Sequence, residues 1–201
     1  MKDMTPLDRM ILLLTGLLAA YQIVFGISGK QSVILVTYTV AFGVLLVAGL
    51  LLIILGFSIL NAPSIAVISS LIPLALSLGL ILEHVPSAKV PYLVFAVLGL
   101  IAIIIAKFIG AEKVGVVVLA LVHGISGLVI FILPIFLSLQ GTTPNRFVFV
   151  GIGGGLIGIG GILLSFLKTG NPLLDQKTIY QLLPGLLLLM TASFVWGFSA
   201  V

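Results

Sequence analysis

Residues 114–139 read VGVVVLALVHGISGLVIFILPIFLSL, without one Lys, Arg, Asp or Glu. A helix rises about 1.5 Å per residue and the hydrocarbon of a bilayer is about 30 Å thick, so about 20 such residues cross it. A soluble core has no use for so long an unbroken apolar run. The stretch reads as a transmembrane helix, and it decides the class of the chain.

The same ruler finds six more spans, giving 10–28, 33–59, 64–82, 90–109, 114–139, 147–167 and 178–200. Charges and breakers fill the gaps between them: Gly29-Lys30, Asn61-Ala62-Pro63, 83–89, 110–113, 141–146 and 168–177. The expected fold is all-α, a polytopic integral membrane protein in which residues 1–201 form a single bundle of seven transmembrane helices. The second and fifth spans exceed the hydrocarbon, so each is expected to tilt or project beyond it. Helices are favoured over a barrel because barrel strands alternate polar with apolar residues, and these runs do not.

Composition agrees. Hydrophobic residues make up 61% of the chain and charged ones 7%, against roughly half and a quarter in soluble domains. With 201 residues in seven spans, nothing is left over for a soluble domain. Zero cysteines exclude disulfides, thiolate metal sites and a cysteine nucleophile. The net charge of +4 is spread singly along the chain, so nucleic acid is not an expected partner; the lipid bilayer is.

Lys2 and Arg9 precede the first span as they would a signal peptide. Its apolar stretch is longer than the usual run of about 7–15 residues, so a retained helix is expected. With seven spans, Lys2, Arg9, Lys107, Lys113, Lys168 and Lys177 share one side, and Lys30, Lys89 and Arg146 the other. Six against three predicts a cytoplasmic N-terminus and an outside C-terminus, in a cytoplasmic membrane. Tyr92, Tyr180 and Trp196 fall near span ends, where amphipathic rings prefer to lie.

Spans two and three resemble spans six and seven. Each pair runs from an aromatic and glycine start (Phe42-Gly43; Phe149 to Gly151) into an Asn/Pro turn, Asn61-Ala62-Pro63 or Asn171-Pro172. A span with an internal proline follows, Pro73 or Pro184. The layout suggests a 3+1+3 parallel internal repeat, similar in architecture to sugar-exporting seven-helix carriers, although none of their motif residues is present. The tetrapeptide Gly-Ile-Ser-Gly at 26–29 and 124–127 falls at different depths and reads as coincidence.

Few residues inside the spans carry chemistry. His123 is the one imidazole well inside a span; it reads either as a hydrogen-bonding partner for another helix or as a ligand to haem or quinone. His84 lies at the outer end of span three, too far in depth for the two to share a haem. Gly124-Ile125-Ser126-Gly127 matches the Gly-x-Ser-Gly pattern of rhomboid proteases, but no histidine follows position 123 to take the serine proton. Glu83, His84 and Lys89 read as a solvated external loop.

Span six carries the small-residue pairs Gly151/Gly155 and Gly154/Gly158, which allow close helix packing within the bundle, at a subunit interface or along a gate. The Gly153, Gly155, Gly158 spacing has no strand before it and says nothing about nucleotides. Pro73, Pro134 and Pro184 read as kinks or as breaks around a binding site. Each frees a carbonyl four residues earlier, with Ser69 and Ser70 or Gln181 nearby to serve it.

Asp3, Asp8, Glu83, Glu112 and Asp175 all fall outside the spans, so no carboxylate is placed to relay protons at mid-membrane. Span seven lacks a lysine for retinal, and no arginine ladder senses voltage. No catalytic residues, cofactor or metal site are expected. The first expectation is a non-catalytic structural or interaction subunit of a larger membrane assembly, with membrane-protein partners or copies of itself. The alternatives are a passive carrier or channel for a small neutral or apolar solute, and a redox subunit contacting haem or quinone at His123.

Overall fold

The computed structural model describes residues 4–27, 30, 32–110, 112–168 and 173–199. Lys2, Asp3, Gly29 and the Asn171-Pro172 turn lie outside the described residues. Seven helices are present among those described: α1 Pro6–Phe25, α2 Ser32–Leu55, α3 Pro63–His84, α4 Lys89–Phe108, α5 Glu112–Leu139, α6 Val148–Lys168 and α7 Gln176–Phe198. Each is long and apolar enough to cross a membrane, and no strand occurs among the described residues. The protein is a helical membrane bundle.

Local chemistry sets the ends. Thr5 caps α1 through a reciprocal box: Asp8 N donates to Thr5 Oγ1 (3.1 Å), and Thr5 N donates to Asp8 Oδ2 (2.9 Å). The charged turn Asp8-Arg9 therefore belongs to the helix although it precedes the apolar run. Asp175 caps α7, accepting from Thr178 Oγ1 (2.5 Å) and Thr178 N (3.1 Å), and these bonds hold its carboxyl below the ordinary carboxylate pKa.

The second span departs from expectation. It does not project as one long helix: α2 ends at Leu55, Gly56 turns the chain at φ 71°, and Phe57–Asn61 form a short 3₁₀ turn leading to Pro63. Only glycine takes a positive φ readily, and here it sits inside a continuous apolar run.

Six helices form a sequential ring, each packing on the next in the order α1, α2, α3, α5, α6, α7 and back to α1. The fourth stands outside, against α3 and α5. A sequential ring divides into two arcs of three whether or not they are duplicates, so the repeat gains no support from it. The amino face, where Pro6 begins α1, also holds the starts of α3, α5 and α7; the far face holds their ends.

The outside of the bundle is apolar. Leu13, Leu14 and Leu17 of α1 and Val94, Val97, Leu98, Ile101 and Ile105 of α4 are all exposed, as suits side chains solvated by lipid tails. Inside, aromatic residues fill the far half: Tyr38, Phe42, Phe147, Phe194 and Phe198 are buried together with Leu76, Leu80 and Ile130. A smaller cluster of Leu12, Leu52, Phe57, Ile179, Tyr180 and Leu183 fills the amino half.

Glycines bring α6 close to its neighbours. A methyl group on Gly151 would stand 2.7 Å from the Phe131 carbonyl oxygen, and one on Gly154 2.9 Å from the Phe131 nitrogen. A methyl on Gly155 would meet the Phe131 ring at 3.2 Å. Gly158, one turn on, has nothing within 4 Å. Gly153 faces α7 instead, where a methyl would meet Phe194 at 2.6 Å, and Gly197 of α7 returns the contact against Val150. Thus α5 and α6 are locked together in the far half.

Pro73, Pro134 and Pro184 lie inside α3, α5 and α7, which continue through them. The serines near Pro73 do not serve the freed Ser69 carbonyl. Ser69 Oγ donates to Ala66 O (3.2 Å) and Ser70 Oγ to Val67 O (2.6 Å), because a helical serine reaches back to the preceding turn. Gln181 is exposed beside Pro184.

Candidate functional site

A cleft of about 590 Å³ opens at the amino face. Helices α3 to α7 and the turn after α2 line it: Leu60 and Asn61 from that 3₁₀ turn, Pro63 and Ala66 from α3, Ala106 and Lys107 from the end of α4 with Gly110 just beyond, Gly115 and Val116 from α5, Leu164 and Leu167 from α6, Gln176 and Tyr180 from α7. Tyr180 lies four residues into its helix, so the cleft reaches about 6 Å below the helix ends.

Its polar groups are a lysine, two amides and a phenol. Lys107 runs its stem along α5 where Gly115 leaves room; a methyl there would meet Lys107 Cδ at 3.4 Å and Ala106 O at 3.0 Å. Tyr180 is fixed by stacking on Phe57, with ring centroids 5.0 Å apart and 17° between planes. Its hydroxyl accepts a hydrogen bond from Gln176 Nε2 at 3.0 Å. No carboxylate lines the cleft among the described residues.

At the far face, charged and aromatic side chains pack into a plug. Glu83 turns in from the last turn of α3 and accepts from Lys30 Nζ at 2.6 Å and from Tyr38 Oη at 3.0 Å. His84 Nε2 stands 3.5 Å from Glu83 Oε1, and its ring packs 5.3 Å from that of Phe147. Phe147 continues to Phe198 (6.1 Å), and Phe198 to Tyr38 (4.7 Å) and Phe42 (6.1 Å). The Glu83, His84, Lys89 group is therefore not a solvated loop: the Glu83 and Lys30 side chains are 13% and 16% exposed, and the lysine that Glu83 pairs with is Lys30. Beside this plug Arg146 lies over the Trp196 ring at 4.7 Å.

His123 belongs to neither end. It lies inside α5 with Nδ1 buried, facing the Leu119 carbonyl one turn back without a well-aligned hydrogen bond. Ser126, one turn on, and Tyr92 of α4 also bury hydroxyls that lack a well-formed partner, although Tyr92 faces both Ser77 and Ser126. Ser77 Oγ itself donates to Pro73 O at 2.6 Å. This polar contact joins α4 to α3 and α5; it does not bring His123 to His84. Among the described residues no three His, Cys, Asp or Glu are grouped to hold a metal.

Sequence reasoning missed both ends of the bundle. In the sequence Lys107 is one of nine scattered cations and Tyr180 one aromatic near a span end; in the fold Tyr180 is 2% exposed and part of the interior. No protein-family model, curated protein or solved structure matches the chain.

Proposed function

We propose that the protein is a non-catalytic carrier for a small solute, standing open to the amino face, which the excess of lysine and arginine assigns to the cytoplasm. The observation that carries this reading is the cleft, whose volume falls within the range of about 300–1,000 Å³ typical of ligand sites. A carrier works by exposing one site alternately to two sides, so a closed counterpart is required. The aromatic and charged plug at the far face supplies it.

The test uses the absence of native cysteines. Leu80 is fully buried beneath the plug. In sealed liposomes, Leu80→Cys is expected to react slowly with an impermeant maleimide added at the far face, and faster when Glu83→Gln is added. A protein that never opens there leaves the thiol unlabelled in both backgrounds, which defeats the reading.

The assembly-subunit reading keeps one observation in its favour. Gly124 and Gly127 on α5 and Gly158, Gly160 and Gly161 on α6 have open space where a side chain would stand, and a further transmembrane helix could pack closely there. Native mass spectrometry after gentle extraction separates the two: a fixed larger assembly favours the subunit, a lone monomer the carrier.

A further inference from the structure

Building on the carrier reading, we infer that the amino-face cleft is a binding site for an anionic headgroup, phosphate or carboxylate, on a short apolar body. Lys107 has no ion-pair or hydrogen-bond partner among the described residues, yet its stem is held against Gly115 and it lines the cleft. An ammonium offers three donors and no acceptor. The Tyr180 hydroxyl already accepts from Gln176, which leaves its proton to give. No carboxylate lines the cleft among the described residues, and a ligand carrying negative oxygen matches these donors. Leu164, Leu167 and Pro63 line the same space and suit an alkyl or acyl body. An ammonium in a partly dry cleft, next to an oriented hydroxyl, makes charge-assisted hydrogen bonds stronger than neutral ones. The chemistry is shared by a soluble alkyl phosphate and by the headgroup of an anionic phospholipid.

The test is calorimetric titration of the purified full chain, in a non-ionic detergent, with hexyl phosphate. Saturable binding is expected, with none for hexanol or hexyltrimethylammonium. Lys107→Gln weakens it by about tenfold or more, Lys107→Arg restores most of it, and Lys113→Gln, an exposed lysine of the same face, leaves it unchanged. Tyr180→Phe keeps the stacked ring and every topology-setting charge, and costs about threefold, so the inference stays testable if Lys107→Gln does not fold. An absence of saturable binding in the native chain, equal losses in Lys107→Gln and Lys113→Gln, or an unchanged Tyr180→Phe overturns it. Repeating the titration in nanodiscs separates the sources. Equal binding in phosphatidylcholine and phosphatidylglycerol assigns a soluble anion, and suppression by phosphatidylglycerol assigns the lipid headgroup; both outcomes keep the anion site. Binding that persists in a protein giving no flux of hexyl phosphate across liposomes ends the carrier reading and leaves this inference standing. Flux of neutral glycerol without anion binding does the reverse.

Discussion

Replacing Gly154 with alanine adds one methyl group at a tight part of the α5–α6 contact. That carbon would lie 2.7 Å from Ile130 Cγ2, 2.9 Å from the Ile130 carbonyl carbon and 2.9 Å from the Phe131 nitrogen. Non-bonded carbons prefer about 3.5–4.0 Å, so the two helices must part by about 1 Å. A side chain can rotate away, but the two backbone atoms cannot. Overpacking of this kind costs about 1–3 kcal/mol. The same replacement at Gly158 meets nothing within 4 Å and removes a helix-interior glycine, worth up to about 1 kcal/mol of stabilisation. Two identical substitutions, four residues apart on one helix, should therefore differ in sign. Reversible unfolding in mixed dodecyl sulfate and maltoside micelles, followed by far-ultraviolet circular dichroism, reads both. Gly154→Ala at or above native stability, or Gly158→Ala as damaging as Gly154→Ala, refutes the packing described for α5 and α6.

Three other predictions concern the plug and the polar contact of α4. A double-mutant cycle on Lys30→Gln and Glu83→Gln should give a coupling of about 1–3 kcal/mol, since both groups are largely shielded and 2.6 Å apart; additivity within about 0.3 kcal/mol denies the interaction. Phe198→Ala empties a site that is 2% exposed and should cost about 3–5 kcal/mol, while raising maleimide labelling of Leu80→Cys from the far face; unchanged labelling separates Phe198 from the seal. Tyr92→Phe removes a buried hydroxyl without a well-formed partner and should be neutral or stabilising by up to about 1 kcal/mol. A loss above about 1 kcal/mol in the same unfolding assay would show that Ser77 or Ser126 holds that hydroxyl.

The membrane crossings were legible because the signal is local: about 20 apolar residues between charges need no knowledge of neighbours. The largest boundary shifts fall where backbone chemistry intervenes. The Thr5–Asp8 box carries α1 four residues upstream of the apolar run, to Pro6, and Gly56 stops α2 inside one. The ends of the bundle were not legible. Lys30 and Glu83 are 53 residues apart, and the cleft joins side chains from Asn61 to Tyr180, so each exists only once the ring has closed. Gly158 shows the same limit at short range. Its spacing from Gly154 satisfies the small-residue pattern, yet α5 is within reach of one and beyond reach of the other. Periodicity marks a face without saying how far along it a neighbour follows.

The most direct measurement of the account places two single cysteines at opposite ends of the bundle. Asn61→Cys lines the amino-face cleft and Ser87→Cys lies in the exposed far-face turn between α3 and α4. With impermeant maleimide, Asn61→Cys should label only in inside-out membrane vesicles and Ser87→Cys only in right-side-out ones. Labelling of both from the same side would contradict the crossing of α3 that separates them, and with it the cleft, the plug and the carrier they compose.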